Sequence, residues 1–170
     1  MGAGKTSVGT ILAKLLHLRF VDLDDLVVAR EGRSIAQIFE EAGESGFRSR
    51  ESAALQELLS GLSSIGNTVV ALGGGALTQA ESRNAVERSQ AHKIFLDAPV
   101  EELFQRCGSQ RLTRPLLKDL GSFRELYLSR RPHYSAAATR VDTSGKSVAQ
   151  VSEELRLLLE GGTLSLKEES

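Results

Sequence analysis

The chain has 170 residues, 41% hydrophobic and 25% charged, with a formal net charge of −1. That size and balance fit a single globular domain with its own core, and near-neutrality argues against a whole-surface attraction to nucleic acid or anionic membrane. The single cysteine, Cys107, excludes an internal disulfide framework, and with neither an apolar run of about 18 residues nor a charged-then-apolar leader, a cytoplasmic chain is expected.

Gly2-Ala3-Gly4-Lys5-Thr6 opens the chain and reads as the second half of a phosphate-binding loop, G-x-x-x-x-G-K-[ST]. In such a loop backbone N–H groups wrap anionic oxygens, the Lys reaches the outer phosphates and the hydroxyl ligates Mg²⁺. The bland alternative is a helix-capping turn with a solvated Lys5. From Thr6 onward Val8, Ile11, Leu12, Leu15 and Leu16 follow the spacing of an amphipathic helix. Its N-terminal dipole would face the bound phosphates. Residues 19–22 form a candidate strand that runs into Asp22-Leu23-Asp24-Asp25. In an extended segment Asp22 and Asp24 share a face. Beside Mg²⁺ and phosphate, one would hold the metal's water shell and the other would accept a proton from an attacking hydroxyl. A solvated turn or helix cap would use the same residues.

Ser34 and Gln37 fit a capping box leading into Ile35, Ile38 and Phe39. A further helix is predicted over 47–59, with Phe47, Leu55, Leu58 and Leu59 on its buried side. Arg48 and Glu51 stand at i and i+3 on that helix. They could form a surface salt bridge, or Arg48 could present its fork to a substrate carboxylate while Glu51 holds its orientation. Residues 68–72 read as a buried strand stopped by Gly73-Gly74-Gly75. Three bare backbone units let a ligand come close, or simply make a tight turn.

A helix near 78–88, a strand over 93–97 and a helix opened by Pro99 follow. Residues 108–120 are polar and irregular and read as a mobile loop. Ser122 with Glu125 is expected to cap a helix that carries Leu126 and ends around Tyr134. A last strand covers 140–142, Ser147 begins a helix lined by Val148, Val151, Leu155 and Leu158, and the tail from Gly161 is polar. Arg106, Arg111, Arg114, Arg130 and Arg131 cluster in this final third. A closing lid could carry Arg111 and Arg114 onto a transferring phosphoryl group. A nucleic-acid surface is the competing use, disfavoured by an aromatic content of 5% and no Trp. His17, His92, His133 and Cys107 lack partners at metal-binding spacing and read as structural or surface residues.

Alternating strands and helices imply a parallel sheet with helices on both faces. Ligands of such sheets sit at the carboxyl ends of the strands. Asp22, Asp24, the triple glycine and the phosphate loop would all fall there.

Taken in order, Gly2-Ala3-Gly4-Lys5-Thr6, Phe20-Val21-Asp22-Leu23-Asp24-Asp25, Ser34 through Phe39, Gly43-Glu44 through Arg48 and Glu51, Leu72 through Ala76, Arg114-Pro115-Leu116-Leu117 and Arg130 through Tyr134 resemble the shikimate kinase family nearly end to end. The resemblance implies an α/β P-loop kinase-type fold of three layers, with a parallel sheet of order 2-3-1-4-5. It also implies ATP-dependent phosphorylation of the 3-hydroxyl of shikimate, in aromatic amino-acid biosynthesis, by a cytoplasmic monomer that uses ATP and Mg²⁺. Gly2, Ala3, Gly4, Lys5 and Ser7 would then hold ATP phosphates, Thr6 would ligate Mg²⁺ and Asp22 would stand in its outer shell. Asp24 would bind substrate hydroxyls and serve as the candidate base. Arg48 and Arg130 would bind the shikimate carboxylate, with Glu51 orienting Arg48. Gly73, Gly74 and Gly75 would contact ring hydroxyls, Phe39 and Phe47 would wall the ring, and Arg114 would be the lid arginine. Arg106 and the stretch 144–147, including Lys146, would flank adenine.

One domain is expected over 1–160, with an acceptor-binding segment at about 24–60, a lid at about 106–120 and a tail over 161–170. The resemblance places a first strand, ahead of the loop, in the middle of the sheet. That strand and the first glycine of the loop are missing here, and we expect a natural start about ten residues earlier, roughly a strand plus half a loop. The alternatives are a gluconate-type or other small-metabolite kinase of the same fold, or a non-catalytic kinase-like binding protein.

Overall fold

The computed structural model describes residues 2–108, 119–135 and 139–161, the side chains of 63–65 excepted. The lid expectations for Arg111 and Arg114, and those for the tail beyond residue 161, lie outside the described residues. In chain order the elements are α1 (Lys5–Leu15), β1 (Arg19–Asp22), α2 (Leu23–Glu31), α3 (Ile35–Ile65), β2 (Thr68–Ala71), a 3₁₀ turn (Ala76–Thr78), α4 (Ala80–Arg88), β3 (Ile94–Asp97), α5 (Val100–Arg106), α6 (Leu120–Ser135), β4 (Thr139–Asp142) and α7 (Val148–Glu160).

The strands form two parallel ladders, β1 with β2 and β3 with β4. Arg19 pairs with Thr68 and Asp22 with Ala71, so the first ladder ends level with Asp22. Ile94 pairs with Thr139 and Asp97 with Asp142 in the second. These ladders correspond to the 2-3 and 4-5 halves of the expected order. Among the described residues no strand joins them.

Two apolar clusters hold the elements together. One gathers Val8 and Leu12 of α1, Leu96, Leu103, Phe123 and Val141, and Val151, Leu155 and Leu159 of α7. The other gathers Leu23 and Val27 of α2, Ile38, Phe47, Ala54 and Leu55 of α3, Ala76 and Val86. The first supports the start of α1, and the second supports the parts of α2 and α3 that lie against the triple glycine.

Three local features depart from the sequence expectation. The acidic run does not stay extended: Asp22 ends β1 as expected, but the residues after it are helical. Asp22 caps a helix, its carboxylate accepting the Asp24 N–H, and Leu23 and Val27 anchor that helix in the core. The segments around Phe39 and Phe47 lie on one helical rod broken at Gly43, which stands at φ 64° and ψ −173°. The rod opens with the Ser34–Gln37 capping box, as expected. Asp119, rather than Ser122, caps α6. Its carboxylate accepts both the backbone N–H and the hydroxyl of Ser122, at 2.9 and 2.8 Å. A charged carboxylate one turn earlier, favoured at a helix N-terminus, displaces the hydroxyl as cap.

Candidate active site

The residues expected to grip phosphate come together at the start of α1. Gly4 is its N-cap, in the left-handed conformation at φ 77°, so Lys5, Thr6 and Ser7 form the first turn, the part of a helix whose N–H groups have no intrahelical acceptor and whose dipole favours anions. The Thr6 hydroxyl donates to Asp22 Oδ2 at 2.7 Å. A hydroxyl against a carboxylate is an oxygen pair suited to a hard cation that keeps most of its water, so Thr6 and Asp22 fit Mg²⁺. Among the described residues no group of three His, Cys, Asp or Glu side chains could hold a metal alone, so phosphate oxygens would have to supply further ligands.

Asp22 also joins this end to the acceptor end, because its other carboxylate oxygen takes the Asp24 N–H at 3.0 Å. Asp24 rides on the first turn of α2 rather than on a strand, and its side chain reaches Gly73. A β-carbon added at Gly73 would meet Glu51 Oε1 at 2.6 Å and Asp24 Oδ1 at 2.9 Å. One added at Gly75 would strike the Arg48 guanidinium. The triple glycine is therefore a bare notch, and charged groups from α2 and α3 press against it. Gly73→Ala is expected to weaken binding of the acceptor by about tenfold or more, since small displacements of aligned groups are felt strongly. The measurement is its KM, with melting remaining cooperative, and an unchanged KM would show that the notch is not needed.

Arg48 and Glu51 form a buried pair at 2.6 Å, with relative exposures of 8% and 1%. Glu44, one turn before Arg48, lies 3.3 Å from its Nη2 and 3.8 Å from Nη2 of Arg130 on α6. Both arginines are buried. Burial pushes against the Arg48 charge, but Glu51 and Glu44 outweigh it and hold the guanidinium above its ordinary value. Burial, with the like charge of Arg48 adding to it, lowers Arg130. Burial pushes the Glu51 carboxyl up despite Arg48, and its Oε1 has no hydrogen-bond partner among the described residues. Two buried cations side by side, too crowded to be equally content, suit a ligand carboxylate gripped by both forks.

The other expected residues fall around this centre. Phe47 is buried with its ring 4.8 Å from that of Phe39, and the Arg48 guanidinium carbon stands 5.1 Å from the Phe47 centroid. Phe47 thus supports the Arg48 guanidinium. Arg106 donates to the Thr143 hydroxyl at 2.8 Å and to its carbonyl at 2.6 Å, bringing it beside the 144–147 turn. Lys146 is paired with Glu154 at 2.7 Å. Arg114 lies outside the described residues.

Sequence reasoning gave no role to Glu44 or Tyr134. Glu44 stands four residues before Arg48 and could have been read as a helical pair. Tyr134 donates its hydroxyl to the Gly74 carbonyl, 60 residues away, and no local pattern shows that.

A family model described as Shikimate kinase matches residues 1–160. The shikimate kinase of Symbiobacterium thermophilum is 43% identical over 160 residues, covering 91% of this chain and 89% of that protein. Among solved structures, a shikimate kinase from Acinetobacter baumannii in complex with shikimate superposes with a TM-score of 0.87 at 36% identity, covering 97% of this chain and 91% of the other. The shikimate kinase of Aquifex aeolicus gives 0.81 at 37% identity, covering 96% and 94%.

Proposed function

This chain belongs to the shikimate kinase family, and on that premise we propose which of its side chains carry the transfer. The activity is ATP-dependent phosphorylation of shikimate, within aromatic amino-acid biosynthesis. The observation that carries the assignment of residues is the convergence of Asp24, Glu51 and Arg48 on the bare Gly73 to Gly75 notch, joined through Asp22 to Thr6.

Arg48 and Arg130 grip the shikimate carboxylate, Glu51 fixes the Arg48 fork, and the Gly73 to Gly75 backbone meets the ring hydroxyls beside Phe39 and Phe47. Asp24 orients the 3-hydroxyl toward the γ-phosphoryl group and takes its proton as the new O–P bond forms and the bond to the leaving ADP breaks. Gly2, Ala3, Gly4, Lys5 and Ser7 hold the ATP phosphates. Thr6 and Asp22 would hold Mg²⁺, which neutralises charge on the phosphates when bound. Arg114 supplies further positive charge to the transferring group. Arg106 and Lys146 flank the adenine. Residues 1–160 act as one domain, with an acceptor segment at about 24–60 and a lid at about 106–120. We place the enzyme in the cytoplasm as a monomer without nucleic-acid or membrane partners, in keeping with a net charge of −1. Among the described residues no helix is long and apolar enough to cross a membrane.

A coupled ADP-release assay with shikimate and with gluconate tests the substrate. Turnover is expected with shikimate alone, and a shikimate ester, lacking the carboxylate charge, should show a KM raised by about two orders of magnitude, as loss of a charge-assisted bidentate contact implies. Equal turnover of gluconate would defeat the assignment.

A further inference from the structure

Asp97 ends β3 and is 2% exposed, yet it is not among the residues assigned to catalysis or binding. Its Oδ1 accepts the Ala98 N–H at 3.0 Å and the Tyr127 hydroxyl at 2.5 Å. Its Oδ2 accepts Arg140 Nε at 2.8 Å and lies 3.4 Å from Arg131 Nη2. Arg131 Nε in turn donates to the Tyr127 hydroxyl at 3.2 Å. One buried carboxylate therefore ties the strand end to two side chains of α6.

Those two side chains are one turn apart, and so are Arg130 and Tyr134 on the adjoining face of the helix. Turning α6 about its axis to follow Asp97 thus moves the Arg130 guanidinium directly. The helix also needs an external anchor at this point. Pro132 lies inside it and has no N–H to give the Leu128 carbonyl, which weakens the helical ladder across the turn that carries Arg130. On the neighbouring positions of this face Tyr134 donates to the Gly74 carbonyl and Arg130 lies 3.8 Å from Glu44, both toward the triple glycine and α3.

We propose that Asp97 is a positioning residue for the acceptor: by holding Tyr127 and Arg131 it sets the rotation of α6 and so places Arg130 against the shikimate carboxylate. This rests on Arg130 being a carboxylate ligand, as proposed above. A buried carboxylate satisfied by a backbone amide, a hydroxyl and two guanidinium groups is a rigid reference point. Shikimate binding would then depend on a residue that acts only through the neighbouring positions of the helix.

The test is a thermodynamic cycle on the full chain with steady-state kinetics. Asp97→Asn is expected to raise the shikimate KM about tenfold while the ATP KM changes by less than about twofold, because a misplaced clamp affects one substrate only. In an Arg130→Ala background the same substitution should add nothing further to the shikimate KM. Tyr127→Phe removes only one hydroxyl and keeps the test available if Asp97→Asn folds poorly. It should raise the shikimate KM about threefold, and likewise only when Arg130 is present. An effect of equal size with and without Arg130, or equal rises in both KM values, overturns the proposal. If Arg130→Ala alone leaves the shikimate KM unchanged, the assignment of Arg130 fails first and takes this proposal with it.

Discussion

Arg48→Ala is expected to cut kcat/KM for shikimate by between about 30-fold and several thousand-fold, the range for truncating one member of a buried, hydrogen-bonded charge pair. ATP affinity, measured by calorimetry, should be unchanged. The loss has two sources. The substrate carboxylate loses one of its two forks, and Glu51, 1% exposed and 2.6 Å from Arg48, loses its counter-charge. An uncompensated buried carboxylate costs about 3–5 kcal/mol of stability if it stays ionised. Burial already raises the Glu51 pKa with Arg48 in place, and removing Arg48 raises it further. A carboxyl whose folded pKa exceeds its unfolded value, about 4.3, stabilises the fold fully below that value and loses the contribution as pH rises through the folded pKa. The variant should therefore melt higher near pH 5 than near pH 8, and adding Glu51→Gln should flatten that dependence. A shikimate KM left intact by Arg48→Ala would remove the clamp from the mechanism.

Asp24→Asn should be the other severe substitution, lowering kcat by about 10²- to 10⁴-fold as loss of a positioned proton acceptor does. Asparagine keeps the shape and the backbone N–H that caps onto Asp22, so the fold and the Thr6–Asp22 pair should stand. Phosphoryl transfer through a loose transition state asks little of a base, so part of the loss would reflect an acceptor hydroxyl no longer aimed. Single-turnover and steady-state rates, with ATP affinity as the control, measure it. A kcat within threefold of the parent would leave Asp24 a ligand of the ring and nothing more.

Much of the site could be read in the sequence because its chemistry is local. Gly4-Lys5-Thr6, the Arg48–Glu51 turn and the triple glycine each carry their meaning within a few residues: the first opens α1, and the other two meet where Arg48 and Glu51 press against Gly73 and Gly75. Helix α2 was hidden because Asp22, Asp24 and Asp25 masked the short apolar repeat of Leu23, Leu26 and Val27. Only Asp22 acting as a cap reveals it. The α6 cap was misplaced by one turn because Asp119 and Ser122 are both good caps and sequence alone does not rank them. The Asp97 network joins residues 30 to 43 positions apart, and its members look like ordinary surface Tyr and Arg until the strand end and helix are brought together. Glycine at 73 and 75 was expected to bare the backbone toward substrate. The structure adds that their missing side chains also make room for the protein's own charged groups.

The break at Gly43 has a bearing on how such an enzyme diversifies. It divides α3 into an arm with Phe39 and a shaft with Arg48 and Glu51, and an added β-carbon there would meet nothing within 4 Å, so the positive φ alone calls for glycine at the joint, which the Phe39–Phe47 contact spans. Swinging the arm would resize the wall around an acceptor while leaving the charged grip on its acid group untouched. Breadth of acceptor and hold on its carboxylate are thereby placed under separate selection, and a library confined to residues 35–43 would explore new hydroxy acids without first dismantling the clamp.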